Sequence, residues 1–194
     1  MEARKDLRVI KTNINIRNTF IKLLNEKDFN SITVQNILDR ALINRTTFYK
    51  HYRDKYDLAE KITNDFLEDF KSFMEVRFSN KENFDDLLKV IDKAYDMFYE
   101  QRLTILGLGK IRTEKINLHA NIQAILKQKY TEFAKNYVKA KGNINYQACI
   151  FASLSMETFK FMLESQETYS ARELIQELKN FYTVMTPTSL KEKE

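Results

Sequence analysis

The sequence has few of the residues that break a chain into short extended segments: three glycines and one proline in 194 residues. That scarcity argues against a β architecture punctuated by turns and favours an all-α fold. A single cysteine, Cys149, excludes an internal disulfide and fits a reducing compartment. It lies in the apolar run Ala148-Cys149-Ile150-Phe151-Ala152, so it reads as a buried structural thiol. Only two histidines exist, His51 and His119, far apart and with no Cys/His cluster, so neither a metal site nor a cofactor is expected. Long apolar runs are missing too. The most apolar stretch, Ala148 to Met156, is interrupted by Ser153 and Ser155 and falls far short of the roughly 20 residues a membrane span requires. The opening residues include Glu2, Arg4, Lys5 and Asp6 rather than an apolar core, which argues against a secretory signal. A cytoplasmic protein with no membrane association is the expectation.

What is present is charge, unevenly placed. The net charge is +5, and residues 1–65 carry 13 Lys/Arg against 9 Asp/Glu, whereas residues 66–194 carry 19 against 18. Between Arg40 and Lys55, five cations (Arg40, Arg45, Lys50, Arg53, Lys55) face a single Asp54. A local cationic concentration attracts polyanions, although charge by itself is equally compatible with a solvated helical face.

Helical periodicity recurs along nearly the whole chain and predicts about nine helices. Ile16, Phe20, Leu23 and Leu24 mark a first helix from about Asp6 to Asn25. Thr33 caps a second running to Arg40, Asn44 a third running to about Tyr52, and Asp54 a fourth reaching about Phe78. Ser79-Asn80-Lys81-Glu82 reads as a capping box for a fifth helix, carrying Phe84, Leu88, Ile91, Tyr95 and Phe98. A short apolar piece, Leu103 to Leu108, stops at Gly107 and Gly109. A helix marked by Ile116 to Val138 stops at Gly142, and another runs from Asn143 to about Glu164. Ser170-Ala171-Arg172-Glu173 is a second capping box, opening a last helix that ends before Pro187. The composition shifts near residues 55–65, inside the fourth helix. The expected organisation is one helical unit at 1–53, a second at 54–187, and a disordered tail at 188–194.

The segment from Thr33 to Lys55 carries the functional signal. Val34, Ile37, Leu38, Ala41 and Ile43 hold two short helices together across a three-residue turn, and Phe48 and Tyr52 anchor the second by its inner face. Its outer face then shows Arg45, Thr46, Thr47, Tyr49 and Lys50. Arg can pair bidentately with a guanine edge, Thr can offer a methyl to thymine, and Tyr and Lys can reach phosphates. A helix-turn-helix presents its second helix, N-terminus first, to the major groove of a duplex.

These residues resemble the TetR-type transcriptional regulators over about residues 8–62. The resemblance rests on Ile16, Phe20, Leu23 and Leu24, then Glu26 and Phe29, then Thr33-Val34 and Ile37. It closes with Arg45-x-Thr47-Phe48-Tyr49-x-His51-Tyr52-x-Asp54-Lys55-x-x-Leu58. It implies phosphate contact by Thr33 at the start of the second helix, and base and backbone contacts from Asn44 to Lys50. It also implies phosphate bonds from Tyr49, His51 and Lys55. Two positions depart from the pattern, with Asp28 and Leu42 standing where the family often has glycine; a leucine forced into a left-handed backbone costs roughly 1–2 kcal/mol.

The resemblance further implies a ligand-binding helical body whose last two helices, about 143–164 and 170–186, form a homodimer. The residues agree in part: Tyr146, Cys149, Ile150, Leu154, Met156, Phe159 and Met162-Leu163 cover a wide arc of one helix, and so wide an apolar arc needs partners on more than one side. The reading is therefore a homodimeric repressor of a palindromic operator, with an unidentified small effector bound in the body. The alternative is a DNA-binding adaptor or activator whose body answers to a protein partner. An enzyme is not expected, because no nucleophile–base or metal set is visible. Gly107-Leu108-Gly109-Lys110 lacks the spacing of a phosphate loop and reads as a helix break, and the Asp85-Asp86 pair reads as a helix first turn.

Overall fold

The computed structural model describes residues 2–79, 83–138, 141–165, 167 and 169–186; of residues 2–6, 137 and 138 it describes the backbone alone. Nine α-helices and no strand occur among the described residues. They are α1 (Glu2–Glu26), α2 (Val34–Ala41), α3 (Arg45–Tyr49), α4 (Lys55–Ser79), α5 (Phe84–Glu100), α6 (Arg102–Leu108), α7 (Leu118–Phe133), α8 (Ile144–Ser165) and α9 (Ala171–Met185). A single 3-10 turn, Phe29–Ser31, separates α1 from α2, and a π-helical stretch, Ala134–Val138, prolongs α7.

The helix starts follow the caps. Thr33 Oγ1 accepts from the amide of Asn36 while Asn36 Oδ1 accepts from the amide of Thr33, a reciprocal box that satisfies two orphan donors of α2. Ser170 and Glu173 form the same box on α9. The start of α5 differs from expectation. Its cap is Asn83, whose Oδ1 accepts from the amide of Asp85, while Ser79 is the last residue of α4 and turns its hydroxyl back to the Val76 carbonyl. The rest of the expected box, Asn80-Lys81-Glu82, lies outside the described residues, as does the tail 188–194. In the same way α7 begins at Leu118 rather than Ile116, because Asn117 is its cap.

One apolar cluster runs through the molecule from Ile16 to Leu163. In the N-terminal head, Ile16, Phe20 and Leu24 of α1 meet Ile37 and Leu38 of α2, Phe48 of α3 and Leu58 of α4, all buried. In the body, Phe66, Phe70, Phe73 and Phe98 pack ring against ring, with centroids 5.6–5.7 Å apart between Phe98 and each of the others. Head and body are joined by more than α4. Helix α6 lies so close on α1 that a β-carbon on Gly107 would stand 3.1 Å from Leu24 Cβ and 3.0 Å from Asn25 Nδ2. Asn25 Nδ2 donates to the Leu103 carbonyl (2.8 Å), and Lys110 Nζ donates to the carbonyls of Leu24 (3.3 Å) and Asn25 (3.4 Å) at the negative end of α1. The Gly107–Lys110 segment is thus a helix end with its lysine engaged on a neighbouring helix.

Cys149 corrects the sequence reading: it is exposed. The side of α8 turned to the core is set by Ala148, Ala152, Met162 and Leu163, and Cys149 falls on the opposite arc with Tyr146 and Ile150. The two replaced glycines separate cleanly. Asp28 sits at φ −62°, ψ 142°, ordinary extended backbone for any residue. Leu42, which ends α2, sits at φ 55°, ψ 45°, and is 91% exposed, so it takes the left-handed conformation without burying its side chain in return. Relief of that strain outweighs the extra freedom glycine gives the unfolded chain, so Leu42→Gly is expected to stabilise the protein by about 0.5–1 kcal/mol. A denaturation midpoint that stays or falls on this substitution would show that the turn bears no strain.

Candidate nucleic-acid interface

Helix α3 spans only Arg45–Tyr49, ending earlier than its periodicity suggests, and Lys50 to Tyr52 complete it as a turn hydrogen-bonded to Phe48 and Thr46. Asn44 Oδ1 accepts from both the amide (2.7 Å) and the hydroxyl (2.8 Å) of Thr47 and so fixes the start of the helix. Phe48 is completely buried beneath it, and the Tyr49 ring stands edge-on to Phe48 at 5.5 Å. Tyr52, buried as well, donates its hydroxyl to Asn13 Oδ1 and accepts from Arg17 Nε (3.1 Å), while Arg17 Nη2 reaches Asp65 Oδ2 (2.5 Å) on α4. The far end of α3 is therefore tied to both α1 and α4.

With one face so held, the other can only point outward. Arg45, Thr46, Tyr49 and Lys50 are exposed, Thr47 and His51 are partly buried, and Thr33 and Asn44 are exposed at the starts of their helices. The Arg45 guanidinium donates to Gln35 Oε1 (3.2 Å), and Gln35 Nε2 donates in turn to Asp39 Oδ1 (2.7 Å). Gln35 thus belongs to the same surface, a residue the sequence reading missed. Its signal was its place as the polar second residue of α2, three before the buried Leu38. Arg40, counted among the local cations, is instead paired through both terminal nitrogens with the Glu26 carboxylate, bracing α2 against the end of α1.

The joint between α3 and α4 is a charge network around Asp57. This carboxylate is buried and accepts from the Arg53 amide (3.0 Å), Arg53 Nη2 (3.2 Å) and Lys61 Nζ (3.1 Å). Burial opposes its ionisation, yet these donors prevail and hold Asp57 below the usual carboxylate range. Lys61 also donates to the His51 carbonyl (3.2 Å) and lies 5.0 Å from the Tyr52 ring, so it ties α4 back to the turn after α3.

Lys55, for which the resemblance implies a phosphate bond, is engaged on backbone carbonyls of the chain itself. Its ammonium is turned inward, donating to the carbonyls of Phe29 (2.8 Å), Asn30 (3.1 Å) and Ile32 (2.7 Å) and lying 4.7 Å from the centre of the Phe29 ring. An ammonium has three hydrogens, and all three are engaged on the loop between α1 and α2. Burial lowers its pKa from the ordinary lysine value. The sequence pattern shows the position, but it cannot tell a lysine that clamps a loop from one that meets a phosphate.

A cleft of about 660 Å³ opens beside the α1–α6 contact, walled by Ile105, Leu118, Ile122, Met156 and Phe159, with Lys110, His119 and Glu157 at its edge. On α8 and α9 an apolar face is left uncovered: Tyr146, Ile150, Leu154 and Phe161 on the first, and Leu178, Phe181, Tyr182 and Met185 on the second. Of the residues in α9 only Ala171 is buried. Among the described residues no group of three His, Cys, Asp or Glu side chains is placed to hold a metal ion, and no helix is long and apolar enough to cross a membrane.

Comparison with known proteins agrees with this geometry. Residues 18–62 match the family model of bacterial regulatory proteins, tetR family. Solved structures share the fold across nearly the whole chain. A TetR transcriptional regulator from Streptococcus agalactiae 2603V is 24% identical, with a TM-score of 0.61, covering 95% of this chain and 98% of its own. A putative TetR-family transcriptional regulator from Syntrophomonas wolfei is 11% identical, with a TM-score of 0.65, covering 92% and 96%. The reduced form of E. coli NemR is 14% identical, with a TM-score of 0.54, covering 88% and 97%. No curated protein matches the chain.

The contrast between Lys50 and Lys55 is open to direct measurement. Removing the clamp by Lys55→Met strands three backbone carbonyls and is expected to cost about 2 kcal/mol of stability, read as a lowered denaturation midpoint. Lys50→Ala, at an exposed position, is expected to stay within about 0.5 kcal/mol of the parent. Equal stability of the two variants would return Lys55 to the surface.

Proposed function

We propose that this chain, which joins a tetR-type segment at residues 18–62 to the fold of TetR-family transcriptional regulators, is a cytoplasmic repressor that binds a palindromic operator as a homodimer and releases it on binding a small effector. The observation that carries the reading is the exposed face of α3, held from beneath by Phe48 and presenting Arg45, Thr46, Tyr49 and Lys50 together. In this assignment Arg45 and Thr46 read base edges, while Tyr49, Lys50 and His51 hold phosphates. Thr33 and Asn44 cap the two helices and, with Thr47, reach the backbone from there, and Lys55 positions the loop rather than meeting the duplex. Residues 1–53 form the DNA-binding unit and 54–187 the regulatory and dimerising one.

Dimerisation is supported by the uncovered face of α8 and α9. Tyr146, Ile150, Leu154 and Phe161 recur at helical spacing, as do Leu178, Phe181, Tyr182 and Met185, and so large an apolar stripe in water favours association. A two-fold pair sets two α3 helices against successive major grooves, about 34 Å apart. The effector reading is supported by the cleft, whose wall includes Asn25 and Lys110, the residues that tie α6 to α1. A ligand that fits the cleft better in one placement of α6 shifts the spacing of the heads by that difference in affinity. A concave, mostly apolar cleft with a few polar groups at its edge suits a small molecule, which favours this reading over a protein-controlled adaptor.

Two measurements test the proposal. On a selected operator and its point variants, Arg45→Ala is expected to weaken binding by about 1–3 kcal/mol and to lose discrimination at one base pair, whereas Tyr49→Phe weakens all duplexes alike. Uniform loss for Arg45→Ala would confine that residue to phosphate, and indifference of the parent protein to every duplex at low salt would remove the proposal. In sedimentation, Phe161→Asp is expected to convert a dimer to a monomer and to lower operator affinity about a hundredfold, because the two half-sites then bind independently. A variant that remains dimeric would place the interface elsewhere.

A further inference from the structure

The second cavity of the body is lined by Arg77, a cation in a position where the helix pattern calls for an apolar residue. Phe70, Phe73 and Met74 precede it on the same side of α4, and Arg77 follows them at the next turn. The recess it borders holds about 60 Å³ and is walled by Phe70, Phe73, Phe98, Met156 and Phe159. Among the described residues Arg77 makes no ion pair and no hydrogen bond; its guanidinium rests 4.8 Å from the Phe151 ring and 5.3 Å from the Phe78 ring. Burial lowers its pKa, as expected for a cation short of water and of a counter-charge. Tyr95 lines the same recess, its hydroxyl also without a hydrogen bond among the described residues; burial raises its pKa, the neighbouring Arg77 works against that rise and Asp92 adds to it. Ser155 adds a third donor. The lining contains no aspartate or glutamate.

A guanidinium resting on aromatic faces is partly compensated by them, which leaves its in-plane donors free. Those donors form a fork that matches a carboxylate through two parallel hydrogen bonds. A recess of about 60 Å³ accommodates a group the size of two water molecules, each occupying about 30 Å³ in the liquid, and a carboxylate is of that order. The recess shares Ile122, Met156 and Phe159 with the larger cleft, so a molecule anchored there would extend its body along an apolar wall toward the α1–α6 contact. A cation would find no acceptor charge in this lining, and a wholly apolar molecule would leave Arg77 unpaired.

We infer that the effector is a small monocarboxylate with an apolar or aromatic body, its carboxylate paired with Arg77 and bonded by Tyr95, its body in the cleft between α6, α7 and α8. This deepens the effector part of the proposed function and rests on it.

The test uses the full chain without DNA. Hydrocinnamate, octanoate and naphthoate are titrated by calorimetry and by thermal melting, against hydrocinnamamide and phenylpropylamine as neutral and cationic counterparts at the same ionic strength. At least one carboxylate is expected to bind, to raise the melting temperature, and to bind about tenfold or more tightly than the amide, as a charge-assisted bidentate pair requires. Arg77→Met is expected to abolish that preference, and Tyr95→Phe to weaken carboxylate binding about tenfold, in line with one lost hydrogen bond to a charged group. Equal binding of carboxylate and amide to the unaltered protein would overturn the inference, as would the absence of any carboxylate binding. Neither result depends on whether the variants fold. A carboxylate preference retained in a folded Arg77→Met would overturn it too. Carboxylate binding by a protein that ignores every duplex would uphold the anion site while removing the regulatory reading, so the two failures are separable.

Discussion

The whole surface at the tip of the molecule depends on the burial of one ring. A helix of five residues cannot sustain itself in water, because nucleation fixes several dihedral angles for a single hydrogen bond. Helix α3 exists because Phe48 is sunk completely among Ile16, Phe20, Ile37 and Leu58, and because Asn44 accepts both the amide and the hydroxyl of Thr47 at its start. Burying a phenylalanine side chain contributes about 1.5–3 kcal/mol, and the cap adds about 1 kcal/mol. Those two contributions also decide orientation. With Phe48 inward, Arg45, Thr46, Tyr49 and Lys50 have no direction left but outward. The contacts of Tyr52, Arg17 and Asp65, and the Asp57 network at the joint with α4, convert that local choice into a rigid attachment.

Rigidity at the tip makes the join to the body important. A head held only by α4 would pivot freely on one rod. Here Gly107 lets α6 approach the end of α1 so closely that a side chain would have to push Leu24 and Asn25 aside, and Asn25 and Lys110 lock the contact with hydrogen bonds across the seam. The cleft lies beside this contact, and the recess of Arg77 adjoins the cleft across Ile122, Met156 and Phe159. Under the proposed function, a ligand in the cleft would bias the placement of the head only by binding one position of α6 more tightly than another.

Much of this was legible in the sequence, and the divide is physical. Caps were readable where they are local: Thr33, Asn44 and Ser170 stand where they were expected, because a cap depends on three or four consecutive residues. The inner and outer faces of α3 were readable from Phe48 and Tyr52. Local pattern failed where two or more neighbours were equally suited. Ser79 and Asn83 can each open a helix, and Asn83 does so while Ser79 ends the one before. Partnership across the fold was not readable at all. Lys55 faces the loop at residues 29–32, Arg40 is taken up by Glu26, and Cys149 lies outside because the small residues Ala148 and Ala152 turn toward the core. Arg77 leaves a visible mark in the sequence, a cation breaking the apolar stripe of α4.

The most direct test of the outward, paired α3 is selection of binding sites from random duplex DNA by the purified chain, followed by footprinting of the enriched sequence. Enrichment of an inverted repeat whose half-sites are centred about one helical turn apart, protected on one side of the duplex, is the expected result. Enrichment of an unpaired or directly repeated motif, or of no motif, would contradict it.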